Sequence, residues 1–310
     1  MGNNKVCESS RQKDDCSPET QKSSEYLEQQ QLSERMSQIK HKIIVLSGKG
    51  GVGKSTVAAN LAVSLSLNGN RVGLLDVDIH GPSIPKLLNL EGRRLGLTDD
   101  KIIPINLSDS LKIISVGFML RSKDDAVIWR GPMKMNVIKQ FLKDVNWGKL
   151  DFLIIDSPPG TGDEPLSVCQ LIEDADGAII VTTPQEIALA DVRKSINFCH
   201  QLKLPVLGVV ENMSGFVCPK CGQVTDIFKS GGGERMAQEM AVPFLGCIPL
   251  DPQIGRACDK GEPYIYHSGR TETAKAFEKA IRPIVELSQT NKNQGKRKEF
   301  VLNEPDNRLQ

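Results

Sequence analysis

The sequence predicts an α/β protein with a doubly wound, mostly parallel sheet that carries helices on both faces. Short runs of apolar, β-branched residues, of the length of buried strands, alternate with longer segments whose apolar residues recur at helical spacing. Three of these runs, residues 43–46, 71–75 and 152–155, lead directly into glycine-rich or acidic loops. In an open parallel sheet, ligands bind at the carboxyl ends of the strands. The sequence therefore places a binding site at this edge.

The remaining elements follow the same alternation along the chain. Residues 91–112 show weak periodicity and indicate an irregular insertion or a small hairpin. Further strands are predicted at 111–116, 178–181 and 206–210, and helices at 133–145, 188–202, 254–258 and 271–287.

The first strand leads into a phosphate-binding loop. Residues 48–56 read G-K-G-G-V-G-K-S-T, which contains the full G-x-x-x-x-G-K-S/T string, and a helical pattern follows. The glycines let backbone N–H groups turn inward, the helix N-terminus adds positive potential, Lys54 supplies a mobile charge and Ser55 can ligate Mg²⁺. The predicted nucleoside triphosphate site comprises Gly48, Lys49, Gly50, Gly51, Val52, Gly53, Lys54, Ser55 and Thr56.

Two later strands end in carboxylates. Asp76 and Asp78 follow the strand at 71–75, and Asp156 follows the strand at 152–155. Asp156 precedes a loop rich in Pro and Gly, which is the form of a Walker B aspartate that holds Mg²⁺ through a water, with residues 160–162 responding to the γ-phosphate. Aspartate also caps helices and makes turns, so a structural role for Asp78 remains the alternative.

A pair of cysteines forms a second chemical centre. Cys218 and Cys221 are separated by Pro and Lys in a C-x-x-C turn, and two thiolates at this spacing can bind one soft metal centre. Two ligands do not complete a four-ligand site, and the later Cys247 and Cys258 form no second pair. Either a second copy of the chain supplies the other ligands, or the pair is redox-active, or the segment is only a turn.

Composition narrows the class of protein. The 310 residues are 39% hydrophobic, and 39 basic residues nearly balance 38 acidic ones for a net charge of +1. This near-zero net charge produces no overall electrostatic attraction to nucleic acid or to an anionic membrane, so we expect neither as a partner. No apolar run approaches the ~20 residues of a membrane span, and no signal-like segment is evident, so we expect a cytoplasmic protein. The eight cysteines are then thiols or metal ligands rather than disulfides.

Three segments are expected. Residues 1–37 are rich in Ser, Gln, Glu and Lys, which predicts a disordered N-terminal arm that contributes little to folding. Cys7 and Cys16 in this arm are too few and too widely spaced for a metal site of their own. Residues 38–288 form the domain with the phosphate loop and the C-P-x-C loop, and residues 289–310 form a polar, flexible C-terminal tail.

Together these motifs resemble the MinD/ParA superfamily and, within it, the Mrp/ApbC family of iron–sulfur cluster carrier ATPases. The resemblance covers about residues 38–286. It rests on the P-loop with Lys49 after its first glycine and on Asp78 with the Gly-Pro-Ser at 81–83. It also rests on the motifs at 129–132, 156–162 and 212–214, the last of which is followed by C-P-x-C. It implies a P-loop NTPase of MinD-like fold that binds ATP and Mg²⁺, hydrolyses ATP slowly, and works as a homodimer.

The resemblance also implies roles for individual residues. Lys49 would reach across the dimer interface to the partner's phosphates, Asp78 would lie near the attacking water and Mg²⁺, and Asn212 would hydrogen-bond adenine. Lys49, Lys54 and Asp78 are thus the catalytic candidates. Cys218 and Cys221 of each chain would hold a shared 4Fe-4S cluster for transfer to apo iron–sulfur proteins. A solvent-exposed loop lysine is the alternative for Lys49.

Two other functions use the same motifs. A positioning or partitioning ATPase would use the dimer switch to bind DNA or membrane, but the C-P-x-C pair and the near-neutral charge disfavour it. A structural zinc ion bridging a dimer would use the same thiolates as an iron–sulfur cluster. Ultraviolet–visible absorption of anaerobically purified protein separates iron–sulfur from zinc.

Overall fold

In the computed structural model, residues 18–98, 101–120, 131–218, 220–221, 223–267 and 271–301 are described. The helices among them are α1 (Pro18–Met36), α2 (Lys54–Leu67), α3 (Ile84–Leu87), α4 (Gly131–Lys143), α5 (Asp163–Leu171), α6 (Glu186–Gln201), α7 (Gly232–Glu239), α8 (Pro252–Lys260) and α9 (Glu272–Val301). The strands are β1 (Ile39–Ser47), β2 (Val72–Asp76), β3 (Gly96–Thr98), β4 (Lys101–Ile103), β5 (Ile105–Ser108), β6 (Leu111–Ser115), β7 (Leu150–Asp156), β8 (Gly177–Thr182), β9 (Val206–Val217), β10 (Val224–Thr225) and β11 (Phe244–Leu250).

The main sheet has the order β10-β9-β8-β1-β7-β2-β6-β5, and β11 also pairs with β9. Every pair in it is parallel except β10 with β9 and β5 with β6, both near the edges. The prediction of a mostly parallel sheet is confirmed. β1 lies between β8 and β7, so the loop that follows β1 emerges at the centre of the carboxyl edge.

Helices cover both faces of the sheet because the central strands are apolar on both sides. In β1, Ile44 and Leu46 belong to one buried cluster, whereas Ile43 and Val45 belong to the other. This alternation follows from the two-residue period of a strand. The first cluster includes side chains of α4, α5, α6 and α7, and the second includes side chains of α2 and α9. The predicted helix-covered, doubly wound architecture is confirmed.

The N-terminal segment differs from the sequence prediction. Residues 18–36 form α1 instead of continuing a disordered arm, and Leu32 and Met36 are buried in the first cluster. The buried ammonium of Lys42 donates to the carbonyl oxygens of Met36 at 3.2 Å and Ile39 at 3.0 Å, and pairs with Asp174 at 2.9 Å. The average composition of α1 is polar. The helix is nevertheless docked by Leu32 and Met36, which lie one helical turn apart, and by the hydrogen bond from Lys42 to its last residue. Cys7 and Cys16 lie outside the described residues.

The C-terminal segment also differs from the prediction. α9 continues as helix to Val301, beyond residue 288, where the folded domain was expected to end. Its first half packs on the sheet through the buried residues Phe277, Ile281 and Ile284. Residues 302–310 lie outside the described part of the chain.

The weakly periodic segment at 91–112 contains a small hairpin, β3 with β4, followed by β5 antiparallel to β6. Trp129 and Arg130, the first half of the motif at 129–132, lie outside the described residues.

None of the described helices has the combination of length and apolar character needed to cross a bilayer.

The docking of α1 can be tested by comparing two leucines of the same helix. Leu32→Ala should lower the free energy of unfolding by about 2–5 kcal/mol, because it empties a buried site. Leu27→Ala, at a position 56% exposed, should change it by less than about 0.5 kcal/mol. Urea denaturation of both variants gives the two values. Equal effects at both positions would show that α1 does not dock as described.

Candidate nucleotide site and cysteine hairpin

The P-loop connects β1 to α2 and is packed on one side and open on the other. Gly51 and Gly53 have φ of 80° and 85°, in the region that favours glycine. A Cβ at Gly50 or Gly51 would meet nothing within 4 Å, whereas a Cβ at Gly48 would lie 2.5 Å from the backbone of Asp191. The loop therefore rests against α6 and presents its open side, with the α2 N-terminus, to an anion such as a phosphate.

Lys54, the first residue of α2, lies directly against the Walker B carboxylate. Its Nζ is 2.6 Å from Asp156 Oδ1 and 3.8 Å from Asp78 Oδ2. The Lys54 side chain is 6% exposed and the Asp156 side chain is fully buried. Because β1 and β7 are neighbours in the sheet, the P-loop lysine and Asp156 lie next to each other.

Three carboxylates converge at this point. Asp76 and Asp156 are opposite each other in the register of β2 and β7, and both are completely buried. Burial, together with the neighbouring charge of Asp156, raises the pKa of Asp76 to about 8. Burial also raises the pKa of Asp156, against the opposing effect of the Lys54 ammonium. A site with this concentration of carboxylates is stabilised by added positive charge.

Asp76 and Asp78 have different partners. Asp76 accepts hydrogen bonds from the Asp78 backbone N–H at 3.1 Å and from the Ser115 hydroxyl at 2.8 Å, so it shapes the loop after β2. Asp78 accepts from the Gly81 N–H at 3.2 Å, and its other oxygen faces Lys54. Asp78 is thus the carboxylate of the loop that is directed to the P-loop.

The oxygen atoms near Lys54 fit a magnesium ion. Asp156 Oδ2 is buried and has no hydrogen-bond partner among the described residues, and the Ser55 hydroxyl lies 3.4 Å from Lys54 Nζ. Carboxylate and hydroxyl oxygens are hard ligands of the kind that Mg²⁺ prefers. The residues present are therefore suited to Mg²⁺ bound together with a nucleotide.

Lys49 is not part of this cluster. Its side chain is partly exposed, and its ammonium makes no hydrogen bond or ion pair within the described chain, while its carbonyl accepts from the Ser47 hydroxyl at 3.0 Å. Among the residues that the structure describes, the Lys49 ammonium therefore has no partner. The proposed reach across a dimer interface stays a prediction.

Asn212 contacts the P-loop backbone. Its Nδ2 donates to the Val52 carbonyl at 2.9 Å, and a Cβ on Gly53 would lie 2.2 Å from the same nitrogen. Asn212 therefore supports the loop from β9, a role that sequence reasoning missed because it depends on the approach of distant segments. Its predicted contact with adenine stays a prediction.

The loops after β2 and β7 are joined by a surface cluster that the sequence did not reveal. Lys134 of α4 pairs with Glu164 of α5, and its Nζ lies 2.8 Å from His80 Nε2. His80 Nε2 is also 3.1 Å from Glu164 Oε1. These hydrogen bonds and ion pairs lower the pKa of Glu164 despite its partial burial. No local sequence signal links the three residues.

The cysteine pair lies at the tip of a hairpin. β9 and β10 are antiparallel with Val217 opposite Val224, and the Cys218 N–H donates to the Gln223 carbonyl at 2.9 Å. Cys218 is half-buried and Cys221 is exposed. Backbone N–H groups of Cys221 and Lys220 lower the pKa of the Cys218 thiol, which favours the thiolate that binds metals.

The other described cysteines lie elsewhere in the fold. Cys247 is opposite Glu211 in the β11–β9 register, and the Cys258 thiol is 4.0 Å from the Thr56 hydroxyl. Burial raises the pKa of both Cys169 and Cys199 to about 12, as expected for packing residues. Within the described residues no third His, Cys, Asp or Glu side chain joins the hairpin cysteines in a group that could hold a metal. One subunit thus offers two thiols at the hairpin.

A parallel sheet with a central P-loop and an aspartate of Walker B type defines a P-loop NTPase, here with a MinD-like fold. The chain belongs to the ParA family described as the NUBPL iron-transfer P-loop NTPases, whose pattern matches residues 38–285.

Similar proteins agree with this family. The chain is 50% identical over 288 residues to an iron–sulfur cluster carrier protein of Methanocaldococcus jannaschii, covering 92% of this chain and 97% of that one. It is 41% identical, with a TM-score of 0.68, to a nucleotide-binding protein of Archaeoglobus fulgidus solved in complex with ADP and with Co, covering 77% and 93% of the two chains. The septum site-determining protein MinD of Pyrococcus horikoshii with Mg-ADP is 25% identical with a TM-score of 0.59, covering 80% and 97%.

Removing the P-loop lysine tests the charge balance of the site. Lys54→Ala should lower the free energy of unfolding of the nucleotide-free protein by about 3–5 kcal/mol, because it leaves buried carboxylates unpaired. It should also abolish detectable nucleotide binding. Lys49→Ala, which removes a partly exposed ammonium, should change the free energy of unfolding by less than about 0.5 kcal/mol. Chemical denaturation and calorimetric titration with ADP measure both properties. A Lys54→Ala protein as stable as the wild type would refute the proposed charge balance.

Proposed function

We propose that the chain is an ATP-binding and ATP-hydrolysing carrier of iron–sulfur clusters that acts as a homodimer. The observation that carries this proposal is a single strand, β9. Asn212 in it contacts the P-loop, and the strand leads directly into the Cys218–Cys221 hairpin. A nucleotide site and a thiol pair on one continuous strand suit a protein in which nucleotide controls the hold on a metal cargo.

The nucleotide would be held by residues 48–56, with Lys54 neutralising phosphate charge. Ser55 and Asp156 would hold Mg²⁺, which when bound neutralises charge on the β- and γ-phosphates. Asp78 would orient a water near the phosphates, a role supported by its contacts with Lys54 and with the Gly81 N–H. Hydrolysis by this arrangement is proposed to be slow and coupled to cluster transfer.

The ligand count supports a dimer. Cys218 and Cys221 give two thiolates per chain, and a 4Fe-4S cluster takes four. Two chains related by a two-fold axis present the same residues to each other and so supply four thiolates as two symmetry-related pairs. Lys49, whose ammonium has no partner in the described part of its own chain, would then contact the phosphates of the other subunit.

The relatives support the cargo and the nucleotide. The Methanocaldococcus protein that is 50% identical over 288 residues is named an iron–sulfur cluster carrier, and the Archaeoglobus protein was solved in complex with ADP. We therefore propose apo iron–sulfur proteins as acceptors and the cytoplasm as the site of action. A MinD-like positioning ATPase with a zinc-bridged dimer is the alternative, because it needs only the same fold and the same four thiolates.

Replacing both hairpin cysteines separates the carrier from its alternatives. Cys218→Ser/Cys221→Ser should bind ATP like the wild type but hold no iron, since the thiols lie outside the P-loop. The matched control Cys169→Ser/Cys199→Ser changes thiols that the fold buries and should keep its iron when folded. Iron per dimer and absorption of anaerobically reconstituted protein give the result. Iron retained by the hairpin double variant would refute the cluster site, and zinc in place of iron in wild type would favour the alternative.

Mixed dimers test the role of Lys49. Homodimers of either variant should lack ATPase activity. In Lys49→Ala the lysine that comes from the opposite chain is missing, and in Lys54→Ala the P-loop does not bind nucleotide. A mixed dimer contains one intact P-loop that faces an intact Lys49, so it should regain up to about half of the wild-type activity per dimer. ATPase rates on mixing the two purified variants measure this. Rates that stay at the level of the separate variants would argue against a lysine acting across the interface.

A further inference from the structure

β9 departs from extended backbone shortly before the cysteine hairpin, and this stretch is called the bend. Immediately after Asn212, Met213 has a φ of 57° and Gly215 a φ of 70°. A positive φ at a residue with a side chain is uncommon and is kept only when surrounding contacts fix it. The segment that carries the hairpin begins at this bend and ends at Gly231, the N-cap of α7, six residues after the end of β10. Its orientation relative to the P-loop thus depends on what holds these two positions.

One carboxylate holds both positions. Glu211, which precedes Asn212 in β9, is completely buried. Its Oε1 accepts hydrogen bonds from the Ser214 hydroxyl, in the bend, and from the Gly231 N–H at 2.9 Å, where the hairpin returns. Its Oε2 accepts from the Gly233 N–H in the first turn of α7. The two ends of the hairpin are therefore joined through a single side chain.

The surroundings of Glu211 are shaped to receive this carboxylate. A Cβ at Gly233 would lie 2.9 Å from Glu211 Oε2, so a glycine is needed for the backbone to approach so closely. The Cys247 thiol lies 3.8 Å from Oε1 on the neighbouring strand. Hydrogen bonds from N–H groups to a buried carboxylate are stronger than those to neutral acceptors. The junction is therefore more rigid than a bend held by neutral hydrogen bonds.

We propose that Glu211 is a positioning residue that transmits the nucleotide state of the P-loop to the Cys218–Cys221 hairpin. Its neighbour Asn212 contacts Val52 of the P-loop, so a shift of the loop displaces β9 at this point. Because Glu211 ties both ends of the hairpin to the same strand, the hairpin moves with it. This inference rests on the proposed function, since it requires that the hairpin cysteines hold the cargo.

The test compares iron release with and without nucleotide in the full-length, reconstituted dimer. The readout is the ratio of the rates at which bathophenanthroline removes iron with Mg·ATP and without it. In the wild type the two rates should differ by a factor of at least about five. Glu211→Gln keeps the size of the side chain but loses the charge and one acceptor. In this variant the two rates should differ by less than about twofold, while its iron content and ATP affinity stay as in the wild type.

The matched control is Asp176→Asn. Asp176 is also a backbone-anchoring carboxylate, bound to the Lys42 N–H at 2.8 Å and to His41 at 2.9 Å, but it lies at the opposite, amino edge of the sheet. It should lose stability yet keep the wild-type ratio. If both variants change the ratio equally, the effect is general loosening and the proposal is overturned. A wild-type ratio in Glu211→Gln overturns it as well.

A second variant covers the case in which Glu211→Gln does not fold. Ser214→Ala removes a single donor to Glu211 at a partly exposed position and should move the ratio part of the way to one. An unchanged ratio in Ser214→Ala would then overturn the proposal. Failure of the proposed function is recognised separately, because a wild-type protein that binds no iron, or a hairpin double cysteine variant that keeps it, removes the cargo site itself.

Discussion

The ion pair between Lys54 and Asp156 is the interaction on which the nucleotide end of this molecule depends. It joins the helix after β1 to the end of β7 at a point closed to solvent, where Asp76 and Asp78 also converge. Burial, together with the neighbouring charge of Asp156, raises the pKa of Asp76, and three carboxylates beside one ammonium leave an excess of acidic groups at this depth. Since bound cations relieve such an excess, the fold itself prepares the site for a metal ion accompanying phosphate.

In the proposed function, the P-loop also connects the two ends of the molecule. The P-loop lies against two other elements, because a Cβ at Gly48 would meet the backbone of Asp191 in α6 and the Asn212 amide of β9 donates to the Val52 carbonyl. β9 is the strand that extends beyond the sheet edge into the cysteine hairpin, with Glu211 closing the hairpin at its base. Movement at the phosphates would therefore be expressed at the thiols through covalent continuity and hydrogen bonds, and it requires no domain hinge.

Local patterns predicted the parts of this arrangement that are local. The P-loop, Asp156 and the C-x-x-C pair are each recognised from a strand or turn together with a few following residues. In the structure the P-loop follows β1, Asp156 ends β7 and the cysteines follow β9. Contacts between segments that are distant in the chain could not be predicted from local patterns. Examples are the hydrogen bonds of Glu211 with Gly231 and Gly233 and of Asn212 with Val52. The prediction of disorder over 18–36 was wrong because average composition hid two buried side chains and the lysine that secures the helix end.

The central claim is that nucleotide state controls the hold of the Cys218–Cys221 pair on its cargo. The most direct measurement is the rate constant for transfer of a cluster from the reconstituted wild-type dimer to an apo 4Fe-4S acceptor, with Mg·ATP and without nucleotide. A coupling of the size common for linked sites, about 1–3 kcal/mol, predicts a change of roughly 5–150-fold. Identical rate constants under the two conditions, with the nucleotide site saturated, would contradict the account.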